Sequence, residues 1–292
     1  MKPLLLAGGK KDPNLAILAK AAQSLGVPLV DARHDIDAVA AFRWDLDTNA
    51  VSLSTDGTPI GAGSAFIRMD VFSAMLDSRP AVAHRCHGWF HTVYGWLLAD
   101  PRVKMLNRDM DVAANSKPAV LLRARNSGFA VPSTLITNLQ KDLETRSGAI
   151  IKPTGGGDYC YDLAELLPNV NFQNGVASVP SILQDKLIAP EIRIYVVGDD
   201  TFAFEMKSSS LDYRVKQDVE VVHIPKVPSE ANALMRLMAS LKMNFGAADF
   251  KTDRSTGHLV LLELNNSPMF ARFDEICGGD IGKSIVRTLT AE

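Results

Sequence analysis

The segment Phe245–Asn265, FGAADFKTDRSTGHLVLLELN, constrains this chain more than any other. Two apolar runs flank a polar turn containing Asp253, Ser255 and Gly257, which reads as an antiparallel hairpin. With the turn centred at Thr256, partner numbers sum to about 512 and Asp249 stands opposite Glu263. Period-two alternation puts Asn265 on the same face as Glu263 and turns Phe250 and Leu264 toward a core. Opposed carboxylates inside apolar strands repel and call for a cation. Two carboxylates with an amide oxygen suit Mg²⁺, a hard ion that takes oxygen ligands. The alternative is a pair of solvated acids on an edge hairpin, against which Leu259–Leu262 is strongly apolar.

The rest of the chain supplies about two domains' worth of length. Its 292 residues carry Lys+Arg 31 against Asp+Glu 33, a net charge of −2, which gives no global footprint for nucleic acid. No apolar run approaches a bilayer span of roughly 20 residues, so membrane is not expected as a partner. The start, MKPLLLAGGKK, is too briefly apolar for a secretory signal. Cys86, Cys160 and Cys277 are few and widely spaced, so a reducing cytoplasm is the expected compartment.

Leu4–Leu6 reads as a buried strand, and Asp12-Pro13 opens a helix with Leu15, Leu18, Ala22 and Leu25 on one stripe, closed by Gly26. Val27–Val30 resumes strand, so a βαβ unit begins a small α/β domain. Asp56-Gly57 marks a hairpin, and Ala65–Ile67 a strand leading to Arg68. Residues 80–98 read as a helix bearing His84, Cys86, His87 and His91. Its histidines at i, i+3 and i+7 either hold a metal or lie on a helix whose aromatic residues do the packing. Ser116 caps a further helix from Lys117, and Ser229 caps one with Leu234, Leu237, Met238 and Leu241 on one side. The strand ending in Lys152-Pro153 runs into Gly155-Gly156-Gly157, which is either a flexible loop or a lid whose backbone N–H groups close over phosphate.

Taken in order, these landmarks resemble the ATP-grasp superfamily, in particular the ligases related to the ribosomal protein S6 modification enzyme and those that macrocyclise ribosomal peptides. Lys117 opens the helix where the family has its first phosphate-contacting lysine, and Gly128–Thr134 looks like its glycine-to-proline extended stretch. Lys152 with Gly155, Gly156 and Gly157 matches the second lysine and phosphate loop. Ile182–Leu187 is similar to the hinge strand, with Gln184, Asp185, Lys186 and Leu187 at the adenine edge. Glu191-Ile192-Arg193 resembles the acidic-aliphatic-arginine motif, and Leu211–Arg214 a motif of the macrocyclising branch. Asp249, Glu263 and Asn265 match the metal ligands, the set reached above from the hairpin. The family usually has proline directly after the metal-binding asparagine, whereas here Pro268 follows two residues later than that pattern.

The resemblance implies an α/β (α+β) ATP-grasp fold. A pre-ATP-grasp α/β domain spans 1–105, a central lobe 106–183, and a C-terminal lobe with the metal site 184–292. It implies ATP and Mg²⁺ as cofactors, with two ions and Mn²⁺ as a substitute. Lys117, Lys152 and Lys207 would bind the polyphosphate, Glu191 the ribose, and Arg193, Lys152 and Arg214 the transferring group; Lys207 and Arg214 serve equally well as surface charges. The implied reaction joins a carboxylate to an amine or hydroxyl through an acyl phosphate. Substrates would be small molecules, peptides or proteins, and a homo-oligomer is admissible. A small-molecule kinase and a nucleotide-binding module without turnover are the alternatives.

Overall fold

The opening apolar run forms a fully buried strand, β1 (Leu4–Gly9), and the helix α1 (Pro13–Ser24) follows it. Asp12 caps α1, its Oδ1 accepting from the Asn14 N–H at 2.8 Å, and Gly26 leaves the helix with φ +67°. β2 (Leu29–His34) lies parallel to β1, completing the expected βαβ unit. β3 (Arg43–Asp45), β4 (Ala50–Ser52) and β5 (Pro59–Ile60) form a small antiparallel sheet, with Asp56-Gly57 in its second turn. β6 (Ser64–Ile67), α2 (Val71–Leu76), α3 (Pro80–Ala99) and β7 (Lys104–Met105) follow. The strand order is β2-β1-β6-β7, with every pairing parallel, so the order in which strands are added across the sheet reverses at β1. Helix α3 buries Val82, Cys86, Val93, Trp96 and Leu97, and exposes His84, His87 and His91.

The structure, a computed structural model, describes residues 3–38, 40–155, 159–208, 210–211 and 219–291. It divides into Met1–Arg108 with Met269–Glu292, and Asp109–Pro268. The last 24 residues therefore pack with the N-terminal unit, where the sequence division keeps them in the C-terminal lobe. The reason is local: the Asn14 Oδ1 at the start of α1 accepts the N–H groups of Phe270 and Ala271 at 2.7 and 2.8 Å. The terminal helix Asp280–Thr290 also brings Gly282 against α1, where a Cβ would lie 3.0 Å from Ile17.

In the second unit, α4 (Lys117–Asn126) begins at the Ser116 cap. β8 (Thr134–Leu139), β9 (Ala149–Pro153), β10 (Tyr161–Asp162), β11 (Phe172–Gln173) and β12 (Val176–Asp185) make one five-stranded sheet. β13 (Ile188–Val197), β14 (Asp200–Lys207), β15 (Glu220–Ile224), β16 (Phe245–Thr252) and β17 (Leu259–Asn265) make a second, ordered β15-β14-β13-β16-β17 and antiparallel throughout. One face of the second sheet buries Ile192, Ile194, Val196, Ala248, Phe250, Leu261 and Leu264. These pack against Leu234, Leu237, Met238 and Leu241, from the helix Glu230–Ser240 and the residue that closes it. That stripe is the one the sequence shows. Ser229 precedes this helix without capping it, because its hydroxyl bonds the neighbouring Glu230 carboxylate at 3.3 Å. Among the described residues, no helix is long and apolar enough to cross a membrane.

Candidate functional site

The face of the second sheet opposite its core carries the charges. Arg193, Asp249 and Glu263 are register partners across β13, β16 and β17, forming one row. The register of the last hairpin is not uniform. Toward the turn, Phe250 pairs with Leu261 and Thr252 with Leu259; beyond a break, Asp249 pairs with Glu263 and Ala247 with Asn265. Continued unbroken, the turn-side register would set Leu262 opposite Asp249. The extra residue, Leu262, is a β-bulge that returns Glu263 and Asn265 to the charged face and Leu264 to the core. The expected opposition of Asp249 and Glu263 thus holds, reached through a bulge rather than a constant register. The edge of β17 is not bare either: the Leu261 N–H donates to the Ala130 carbonyl at 2.9 Å. This answers the alternative of solvated edge acids, since Asp249 is only 5% exposed.

Each acid faces a cation. Arg193 grips Asp249 with two bonds, Nε to Oδ1 at 2.6 Å and a second guanidinium nitrogen to Oδ2 at 2.7 Å. Lys117, the first residue of α4, places Nζ 3.1 Å from Glu263 Oε2, and the Asn265 amide donates to Oε1 at 3.0 Å. Burial pushes the Asp249 pKa up, with Arg193 opposing it. Burial acts the same way on Glu263, but Lys117, the Asn265 amide and Lys152 outweigh it and hold that carboxyl at about 2. In the adjacent row Glu191 meets Lys251 at 3.1 Å, and burial raises the Glu191 pKa. The sequence pattern does not single out Lys251, although it lies two residues from Asp249 and so on the same face.

Lys152 stands on β9 of the other sheet and shares a face with its register partner Ile182. Burial lowers its pKa, Glu263 and Asp249 pull it back, and Lys117 pushes it down further. It makes no ion pair among the described residues. Gln184 occupies the same face of β12; it is fully buried, donates to Thr134 Oγ1 at 3.0 Å, and leaves its own Oε1 without a partner among the described residues. Asp185 and Lys186 hold surface ion pairs with Arg146 at 3.1 Å and Asp162 at 3.0 Å, and Leu187 is buried. Asp185 and Lys186 thus spend their side chains within the first sheet, just before the chain passes to β13.

The structure does not bring every expected residue to this row. Alternation along β14 sets Lys207 on the face of Ala203, away from Phe204, the register partner of Arg193. Gly155 is exposed, and a Cβ there would meet nothing within 4 Å. Gly156, Gly157 and Arg214 lie outside the described residues. In the first unit Arg68 is buried and bonds Asp12 at 3.0 Å, which makes it part of the packing of α1.

Four lysine or arginine charges (Lys117, Lys152, Arg193, Lys251) surround three carboxylates (Asp249, Glu263, Glu191). The excess is one positive charge, from 4 − 3, on a row that also offers three oxygen-bearing side chains for a hard cation. Such a place suits a polyanion accompanied by its metal.

No protein-family model matches the chain, and no curated protein matches it in sequence. Solved structures do match in shape. The ATP-grasp ligase PsnB, complexed with a minimal precursor, superposes with a TM-score of 0.74 at 19% identity, covering 100% of this chain and 99% of that one. The macrocyclase MdnC from Microcystis aeruginosa MRC, bound with precursor peptide MdnA, gives 0.74 at 17% identity over 99% of this chain and 100% of its own. A Chryseobacterium gregarium RiPP-associated ATP-grasp ligase, in complex with ADP and a leader and core peptide, gives 0.70 at 17% over 99% and 96%. PsnB has also been solved with Mg and ADP. The chain has the fold of the ATP-grasp ligases.

Proposed function

We propose that this chain is an ATP-dependent carboxylate–amine ligase acting on a peptide, with Asp249, Glu263 and Asn265 as its Mg²⁺ ligands. The observation that carries the reading is the row in which Asp249 and Glu263 stand opposite each other between Arg193 and Lys117. Two carboxylates and an amide oxygen fit Mg²⁺ in donor type and number, with remaining positions left for water and phosphate. Bound there, the ion would neutralise polyphosphate charge. Peptide substrates are proposed because the ligases of like fold named above were solved with precursor peptides. Three cysteines with no disulfide among the described residues fit a reducing cytoplasm.

On this reading the two sheets of the second unit are the two lobes, joined at Lys186-Leu187. Lys117 and Lys152 bind phosphate oxygens, and the unpartnered Gln184 Oε1 accepts from the exocyclic amine of the adenine. Glu191 faces the ribose. Arg193 orients Asp249 and lends positive charge to the transferring group, with Arg214 and the Gly155–Gly157 loop completing the set. A carboxylate oxygen of the substrate attacks the γ-phosphorus, the bond to ADP breaks, and an acyl phosphate forms. The amine nitrogen then attacks the acyl carbon, inorganic phosphate leaves, and the amine proton passes to solvent. The chain's contribution is position and charge.

The test supplies ATP, Mg²⁺ and hydroxylamine together with carboxylate-bearing peptides. A ligase releases ADP and yields a hydroxamate, and Glu263→Gln loses both. ADP with a phosphorylated alcohol and no hydroxamate would make the protein a kinase. No ADP release at saturating Mg·ATP across such peptides would make it a nucleotide-binding module.

A further inference from the structure

Helix α3 attracts attention in the sequence through His84, His87 and His91, yet all three face solvent. The residue on its buried face, Cys86, meets two partners from distant parts of the chain. His34 ends β2, and Asp70, which follows β6, caps α2 by accepting the Ser73 N–H at 2.9 Å. His34 Nε2 lies 3.3 Å from Asp70 Oδ2, and Cys86 Sγ lies 3.8 Å from the same oxygen. One potential ligand atom from each of the three falls within 4.8 Å of the others. All three side chains are buried, His34 being 7% exposed, Asp70 1% and Cys86 0%.

We propose that His34, Asp70 and Cys86 form a site for a transition-metal dication, Zn²⁺ by preference, in the N-terminal unit. Among the described residues neither nitrogen of the His34 ring meets hydrogen-bond geometry, although the ring is more than nine-tenths buried and Nε2 faces the Asp70 carboxylate. The two spacings to Asp70 Oδ2, 3.3 Å from nitrogen and 3.8 Å from sulfur, lie near those an ion sets. Bonds of about 2.0 to 2.1 Å to nitrogen and oxygen at a tetrahedral angle set those atoms about 3.3 Å apart, and a bond of about 2.3 Å to sulfur sets sulfur about 3.5 Å from oxygen. A mixed N, O and S set selects Zn²⁺ over Mg²⁺ or Ca²⁺. Charge fits as well, because a thiolate, a carboxylate and a dication sum to zero in a buried place. Burial lowers the His34 pKa, against the pull of Asp70.

The surroundings are built for this convergence. His34 pairs in register with Gly9 at the carboxyl end of β1, the strand at which the order β2-β1-β6 switches direction. Open parallel sheets bind ligands at that point. Gly9 is required there, since a Cβ would overlap the Asp70 carboxylate. Three ligands leave a fourth position for water or an anion, and metal binding releases the Cys86 thiol proton to solvent.

The test strips the full-length protein with a chelator and titrates it with Co²⁺ in saturating Mg²⁺, which occupies the oxygen-rich row. One equivalent of Co²⁺ should produce thiolate-to-cobalt charge-transfer absorption and tetrahedral visible bands, both erased by one equivalent of Zn²⁺. Cys86→Ala should abolish the charge-transfer band, whereas Cys160→Ala and Cys277→Ala should retain it. His34→Gln keeps the thiolate and should weaken Co²⁺ binding at least roughly tenfold, which tests the site even where Cys86→Ala folds poorly. Absence of the band in the unaltered protein, its survival in Cys86→Ala, or unchanged affinity in His34→Gln would overturn the proposal. None of these readouts depends on ATP.

Discussion

The protein holds two buried polar clusters that solve the same electrostatic problem differently. On the second sheet, Asp249 and Glu263 are each met by a cation of the chain itself, Arg193 and Lys117. In the N-terminal unit, Asp70 caps α2 and otherwise faces the His34 imidazole at 3.3 Å and the Cys86 thiol at 3.8 Å, with no lysine or arginine paired to it among the described residues. In the first cluster each of these two acids has its cation before any ligand arrives, so a nucleotide bound there would have to compete with or rearrange existing ion pairs. In the second, no lysine or arginine pairs with the carboxylate among the described residues, and a bound cation would displace only the Cys86 thiol proton.

The largest effects should come from the row on the second sheet. Asp249→Asn removes a buried acceptor of Arg193 and a proposed metal ligand, and should lower ATP-dependent product formation by roughly 10³-fold, read from ADP release. Arg193→Met strands Asp249 as a buried carboxylate with its principal partner gone. It should cost about 3 to 5 kcal/mol in urea unfolding, and Asp249→Asn on that background should recover part of the loss. Recovery would show that the loss comes from the stranded charge rather than from missing packing.

The pH dependence separates the clusters more gently. Glu263 has a folded pKa held below its ordinary 4.5, at about 2. Its contribution is fully present above pH 4.5 and is lost as pH falls toward 2. Because the side chain is 25% exposed, the contribution is discounted to about 1 to 2 kcal/mol. Glu263→Gln should flatten the acid limb of stability against pH by that amount, measured by denaturant titration of the ligand-free protein. An unchanged slope would mean that Lys117 does not stabilise the ionised carboxylate. The smallest effect belongs to the exposed histidines: His87→Ala and His91→Ala should change stability by less than about 0.5 kcal/mol and leave Co²⁺ binding at the buried triad intact.

What the sequence discloses about these clusters follows from how far apart their members lie. Asp249, Glu263 and Asn265 share one hairpin, so turn chemistry and period-two alternation suffice to place them together. The Leu262 bulge is invisible in that pattern; a constant register happens to give the same acid pair while misplacing Leu261 and Leu259. Lys117 and Lys152 are seen in sequence as a helix start and a strand end, but their approach to Glu263 depends on the packing of α4 and β9. The triad is not legible at all, because His34, Asp70 and Cys86 come from three elements joined only by the parallel sheet. Periodicity pointed instead to His84, His87 and His91, which share a helix face but not the buried one. The docking of Met269–Glu292 on the first unit is equally hidden, since it turns on the Asn14 side chain accepting two backbone N–H groups.

Calorimetric titration of the full-length protein with ADP, with and without Mg²⁺, tests the central claim without knowledge of the substrate. The unaltered protein should bind ADP more tightly when Mg²⁺ is present, and Glu263→Gln should lose that dependence while keeping its fold. Failure to bind ADP under either condition, or an Mg²⁺ dependence that survives in Glu263→Gln, would contradict the assignment of the Asp249–Glu263 row as the metal–nucleotide site.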